Sequence, residues 1–224
     1  FALLLFALAP TYANAMTVNV KATAFSSADV QVGQVNHTIE IKEGGLVTIN
    51  DTLKLFPKPP ETWVLLQNFS FGFPYKFNDT EIIDTLDYCF AYDASNPDTR
   101  FKVERDVGLE GRIGFYGINV IFSEPGLNLS NGGCDLTVVF VFSNLVSFQS
   151  ADVYDLKFPM YPSLIQDASV CNVTVILPHD ANITDSAFDF NTTTLDESQV
   201  LKHTKTSLNS FAYEPAWLTF QVYR

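Results

Sequence analysis

Apolar residues in this chain recur at every second position, segment after segment, which is the side-chain period of a β-strand. In 35–42, Val35, Ile39 and Ile41 share one face, and Asn36, Thr38, Glu40 and Lys42 share the other. In 47–55, Val47, Ile49, Leu53 and Leu55 lie opposite Asn50, Thr52 and Lys54. Gly44-Gly45 lies between the two runs and reads as the turn of a hairpin. A two-residue loop there would set Ile41 against Thr48, which belongs to the other face. A three-residue loop, Glu43-Gly44-Gly45, sets Ile41 against Val47, Ile39 against Ile49, Thr38 against Asn50 and His37 against Asp51. The hydrophobic phase therefore selects the longer loop.

The same pattern predicts further strands at 65–73, 115–122, 134–144, 153–161, 171–178 and 216–223. Turn signals separate them: Pro57-Lys58-Pro59-Pro60, Ser95-Asn96-Pro97-Asp98, Pro125-Gly126 and Asn131-Gly132-Gly133. Thr194-Leu195-Asp196-Glu197 fits a helix capping box and predicts one short helix near 195–205. The expected fold class is thus all-β, with many antiparallel strands in packed, sandwich-like sheets. The plentiful Phe and Tyr, 20 and 9, agree with strands rather than helices.

The chain opens on Phe1, and FALLLFALA is apolar but too short to cross a bilayer. Pro10 and the small-x-small run Ala13-Asn14-Ala15 follow it. Residues 1–15 read as the end of a secretory signal peptide, with the mature chain starting near Met16. Residues 16–224 are expected to form a single extracytoplasmic β domain, truncated at its C-terminal end. The net charge of −12 repels nucleic acid and anionic lipid and excludes both as partners. Export permits disulfides, but Cys89, Cys134 and Cys171 are odd in number, which leaves one bridge or three thiols open.

Asn-x-Ser/Thr occurs at Asn36, Asn50, Asn68, Asn78, Asn128, Asn172, Asn182 and Asn191. That is eight of fifteen asparagines, where chance at this Ser and Thr content gives about two. With an export signal, such enrichment marks them as N-glycan acceptors. Strand phase agrees independently. Asn36, Asn50, Asn68 and Asn172 each lie opposite the apolar face of their strand.

Chemistry is harder to find. No nucleophile elbow, HExxH, P-loop or GxGxxG is present, and no catalytic, cofactor-binding or metal residues are assigned. His37 opposite Asp51 has the form of half a triad or a metal pair, yet reads as a cross-strand polar pair. His179-Asp180 follows a strand end and reads as an exposed loop. The acidic run Asp79, Glu81, Asp84, Asp87, Asp93 and Asp98 lacks the spacing and glycine of a calcium loop.

The block 138–178 resembles the lumenal part of the ribophorin I family, a non-catalytic subunit of the eukaryotic oligosaccharyltransferase. The matching features are Phe142-Ser143-Asn144-Leu145, Phe158-Pro159-Met160-Tyr161-Pro162 and the apolar strand Val173 to Leu177. The hairpin IEIKEGGLVTINDTLKL and the ending AWLTFQVYR fit the start and close of a lumenal domain in that family. Acidity, few cysteines and dense sequons point to an archaeal envelope relative. The resemblance implies a non-enzymatic scaffold or interaction module at the cell envelope, without cofactors. Its partners would be other envelope or membrane proteins, including glycosylation machinery, with a membrane anchor beyond residue 224. Two other classes stand beside this one. A carbohydrate-binding or adhesion module would need an exposed aromatic platform, for which Trp63, Tyr75 and Tyr116 are candidates. An extracellular hydrolase would need two convergent carboxylates in a cleft.

Overall fold

The computed structural model describes residues 27–74, 76–77, 80–81, 86–109, 115–130 and 132–223. The signal-peptide reading of 1–15 and the sequon Asn78 fall outside these residues.

The hairpin forms in the register that phase requires. Strands β1 (Val30–Ile41) and β2 (Val47–Pro57) pair with Ile41 against Val47, Ile39 against Ile49 and His37 against Asp51. Lys42 N donates to Leu46 O at 2.8 Å and closes the three-residue loop. Gly44 and Gly45 sit at φ 82° and 81°, a left-handed backbone that glycine adopts without steric cost.

Eight strands follow before the second half of the chain: β3 (Trp63–Leu66), β4 (Asn68–Pro74), β5 (Lys76–Phe77), β6 (Thr80–Glu81), β7 (Leu86–Asp93), β8 (Asn96–Gly108), β9 (Phe115–Ile121) and β10 (Leu127–Ser130). Then come β11 (Cys134–Phe142), β12 (Val146–Ser150), β13 (Val153–Pro159), β14 (Ser163–Leu164), β15 (Ala168–His179), β16 (Ala181–Ser186), β17 (Asn191–Leu195), β18 (Ser198–Leu208) and β19 (Pro215–Val222). The fold is all-β, as the alternation requires.

An 11-stranded sheet runs β14-β4-β9-β8-β7-β11-β2-β1-β15-β18-β17, and a 4-stranded sheet runs β12-β13-β19-β16. Every pairing among the described residues is antiparallel except one. β1 and β15 lie parallel, with Asn36 beside Asn172 and Ile39 beside Val175. One apolar cluster joins Val35, Ile39, Ile49 and Phe140 of the large sheet to Leu156, Phe158, Leu218 and Phe220 of the small one. Its aromatic part interlocks: the Phe71 and Phe140 rings meet edge to face at 5.8 Å and 84°. Where β4 crosses β9, Gly117 stands opposite Gly72. A Cβ at Gly117 would come within 2.8 Å of the Phe71 carbonyl carbon, so only hydrogen fits.

The expected helix near 195–205 is absent. Leu195 pairs with Ser198 across a two-residue turn, and Asp196 and Glu197 take φ 47° and 64°. That is the primed-turn geometry whose twist suits a hairpin. The Thr194–Glu197 capping pattern is a local signal worth about 1 kcal/mol. It loses to β18 as a whole, which pairs with β15 from Ala168–Leu208 to His179–Ser198 and buries Val200 and Leu201.

Candidate functional site

The outer face of the large sheet carries the sequon residues Asn36, Asn50 and Asn172 in cross-strand rows. Thr137, Thr52, Asn36, Asn172 and Thr204 form one row across β11, β2, β1, β15 and β18. Their side chains are hydrogen-bonded along it. Asn172 Nδ2 donates to Asn36 Oδ1 at 3.1 Å, Thr204 Oγ1 donates to Asn172 Oδ1 at 3.2 Å, and Thr52 and Thr137 hydroxyls meet at 3.0 Å. The next row holds Val139, Asn50, Thr38, Thr174 and Lys202. Sequence phase had put Asn36, Asn50 and Asn172 on this face, and they are there. Asn36, Asn128, Asn182 and Asn191 are exposed, while Asn50, Asn68 and Asn172 are half-buried. Asn50 is the most enclosed in its chemistry: its Oδ1 is buried and has no hydrogen-bond partner.

On the core side, His37 and Asp51 are both fully buried. His37 Nδ1 lies 2.5 Å from Asp51 Oδ1, and His37 Nε2 lies 3.2 Å from the Pro159 carbonyl oxygen. A carbonyl only accepts, so Nε2 holds a proton and donates it there. The contact on Nδ1 needs a second proton between nitrogen and carboxylate. With both nitrogens occupied and no exposed surface, the imidazole offers nothing to a substrate. A general base needs a nitrogen within reach of the proton it takes. The half-triad form seen in the sequence is therefore a tie between the β1–β2 hairpin and the end of β13. Burial first, and then the Asp51 charge, push the nearby Cys171 thiol far above its ordinary range. Cys89, Cys134 and Cys171 are all thiols, which removes the one-bridge arrangement. Burial also holds Cys134 up, at about 11.

At the far end of β15, His179 is exposed, as the sequence suggests, but it is not a bare loop residue. Its Nε2 is 2.5 Å from Glu197 Oε2 and its Nδ1 is 2.6 Å from Asp180 Oδ2. It clasps the β15–β16 turn to the β17–β18 turn. The Glu197 hydrogen bond, then Asp180, raise its pKa. A raised histidine pKa means the cation is favoured in the folded state. Its stabilising contribution is full below the unfolded pKa and fades as pH rises through the folded one. An NMR titration should place the His179 midpoint above the ordinary histidine value, and Glu197→Gln should move it down. An unchanged midpoint in Glu197→Gln would break the clasp assignment.

Of the candidate aromatic platform, Trp63 is 52% exposed on β3, Tyr75 lies outside the described residues, and Tyr116 belongs to β9. Another aromatic group escaped the sequence reading. Tyr88, Phe90 and Tyr92 line one face of β7, with ring centroids 5.6 and 6.1 Å apart, and the Arg100 guanidinium lies 4.6 Å from the Phe90 centroid. The period-two spacing 88-90-92 was the available signal. Among the described residues, no group of three or more His, Cys, Asp or Glu could hold a metal ion.

No family model matches the chain, and no curated protein matches it in sequence. Among solved structures, it is similar to the M1 zinc metallopeptidase of Deinococcus radiodurans, with 12% identity, a TM-score of 0.43, and coverage of 86% of this chain and 42% of that one. It is also similar to leukotriene A4 hydrolase of Saccharomyces cerevisiae, with 8% identity, a TM-score of 0.45, and coverage of 86% and 29%. The chain thus spans less than half the length of either protein. Both neighbours are hydrolases by name, and a likeness at this level assigns no activity to the chain.

Proposed function

We propose that this chain is a non-enzymatic, N-glycosylated β module of ribophorin I type, acting outside the cytoplasm as a scaffold or interaction domain at the cell envelope. Other envelope or membrane proteins, including glycosylation machinery, are its partners, and an archaeal relative of that family fits its acidity. One observation carries the reading: the sequons at Asn36, Asn128, Asn182 and Asn191 lie on exposed β-strand positions, away from the shared core. Sugar attached there meets water rather than packed side chains. The buried, doubly occupied His37 supports a structural rather than a catalytic use of the molecule's most triad-like pair.

Intact-mass analysis of protein from the native cell is expected to show several glycans. Glycopeptide mapping should rank Asn36, Asn128, Asn182 and Asn191 highest and Asn50 lowest, following exposure. A mass equal to the bare polypeptide would overturn the surface-glycoprotein reading.

The Tyr88, Phe90 and Tyr92 ladder favours a second reading, a carbohydrate-binding or adhesion module. Tyr88 is 58% exposed, and aromatic faces stack on the C–H faces of sugars. Saccharide titrations that shift the Tyr88 ring resonances would support it over the scaffold reading.

A further inference from the structure

Strands β3 and β10 form a small sheet of their own, four residues in each strand, paired with no other strand among the described residues. A two-stranded sheet is marginal alone and needs a surface to pack on. One of its faces has that surface: Val64, Leu66 and Leu129 are fully buried in the shared core, and Leu127 packs against it. Alternation of side chains puts Trp63, Leu65, Asn128 and Ser130 on the other face. Burial agrees, with Trp63, Asn128 and Ser130 exposed and Leu65 half-buried.

Trp63 is the anomaly on that face, since its indole is 52% exposed. The register fixes what stands beside it. Asn128 lies directly opposite Leu65, and Ser130 directly opposite Trp63. Asn128 and Trp63 are therefore diagonal neighbours on one face, about 7–8 Å apart at the backbone and within reach of an aromatic side chain. Asn128-Leu129-Ser130 is also a sequon. A sugar linked there starts at the Asn128 amide nitrogen, already part of the way to the indole, and a pyranose ring is wide enough to span the rest.

Two other exposed sequons lack this arrangement. Asn36 stands between Thr52 and Asn172, and Asn191 stands opposite Lys202. Neither has an aromatic residue at an opposite or diagonal position.

We propose that the outer face of Trp63 is the docking surface for the pyranose ring attached to Asn128. This glycan clasps β10 to β3, while those at Asn36 and Asn191 extend into water. An indole presents a flat π face, and a pyranose presents a face of C–H bonds that stacks on it. Leu65, opposite Asn128, extends the apolar floor under the sugar. Stacking removes indole area from water and gives the two short strands a contact on the face that the core does not reach. The sugar is held by the same chain, so no free partner has to be captured and little association entropy is lost. The inference rests on the glycoprotein reading for the presence of the sugar.

The test uses the glycosylated chain produced in its native cell, with Trp217→Phe so that Trp63 is the single tryptophan. Asn128→Gln and, separately, Ser130→Ala remove the sequon from either end. Each is expected to raise acrylamide quenching of Trp63 at least about twofold, as an uncovered ring requires. Amide exchange over 63–66 and 127–130 should quicken by about threefold or more, the size of one aromatic contact. Asn191→Gln should change neither reading. Trp63→Ser should quicken exchange as much as Asn128→Gln does and add little in the Asn128→Gln background, and Trp63→Tyr should restore most of the protection. Unchanged quenching, unchanged exchange, or additive effects of Trp63→Ser and Asn128→Gln would each overturn the clasp. Glycans at other sequons with Asn128 bare would overturn it too and leave the glycoprotein reading intact. A bare polypeptide mass would overturn both.

Discussion

Replacing Asp51 with alanine is expected to lower the unfolding free energy by about 3–5 kcal/mol, because it strands a buried partner rather than because it deletes a contact. His37 has no exposed surface, and its Nε2 proton is committed to the Pro159 carbonyl. Without the carboxylate, Nδ1 is left buried and without its hydrogen-bond partner. The discriminating partner experiment is His37→Leu combined with Asp51→Val. Removing both polar groups eliminates the desolvation cost of the pair and leaves one unmatched acceptor, the Pro159 carbonyl, worth about 1–3 kcal/mol. The double variant should therefore be at least about 2 kcal/mol more stable than Asp51→Ala alone. Urea midpoints and slopes for the two variants measure this. A double variant as unstable as the single one would mean that the pair does more than satisfy itself.

Ile49→Ala should cost about 2–5 kcal/mol. Ile49 is fully buried, with Ile39 beside it on β1 and Phe140 beside it on β11. Both flanking strands are held by long ladders, so the site has little freedom to collapse around the lost methyl groups. Asn50, the next residue, points to the opposite face and is half-buried. Asn50→Gln should cost no more than about 1 kcal/mol, as near-surface changes do. The comparison is best made on unglycosylated protein, by denaturant midpoint. Should Asn50→Gln prove the more damaging, the two faces of β2 are reversed and the glycan argument loses its structural footing.

The β1–β2 register was legible because side-chain direction has a period of two. A one-residue slip would turn Ile39, Ile41, Val47 and Ile49 to the outer face together. Strand phase likewise put His37 and Asp51 on the face of Ile39 and Ile49. What it could not supply was the cap on His37, since Pro159 lies 122 residues away along the chain. The half-triad form was an ambiguity of that kind: the residue types suit catalysis, and the third partner decides against it. The helix near 195–205 failed for the opposite reason. Its signal was local and correctly read, but β15 offered β18 a full ladder of backbone bonds and two buried aliphatic residues.

Sequence alone determined the strand periodicity, the three-residue loop of the first hairpin, the outward phase of Asn36, Asn50 and Asn172, and the acidity of the surface. Each is a property of a few neighbouring residues or of bulk composition. Tertiary structure decided that β1 lies parallel to β15, which brings Asn36 beside Asn172 across 136 residues. It also decided that the β1–β2 hairpin tip and β12 face each other across an open cleft. Such long-range pairings leave no local mark. Closing a loop of that length has an entropic cost that depends weakly on length and not at all on register. Register is chosen by the burial of whole faces, which exists only once the sheets have met.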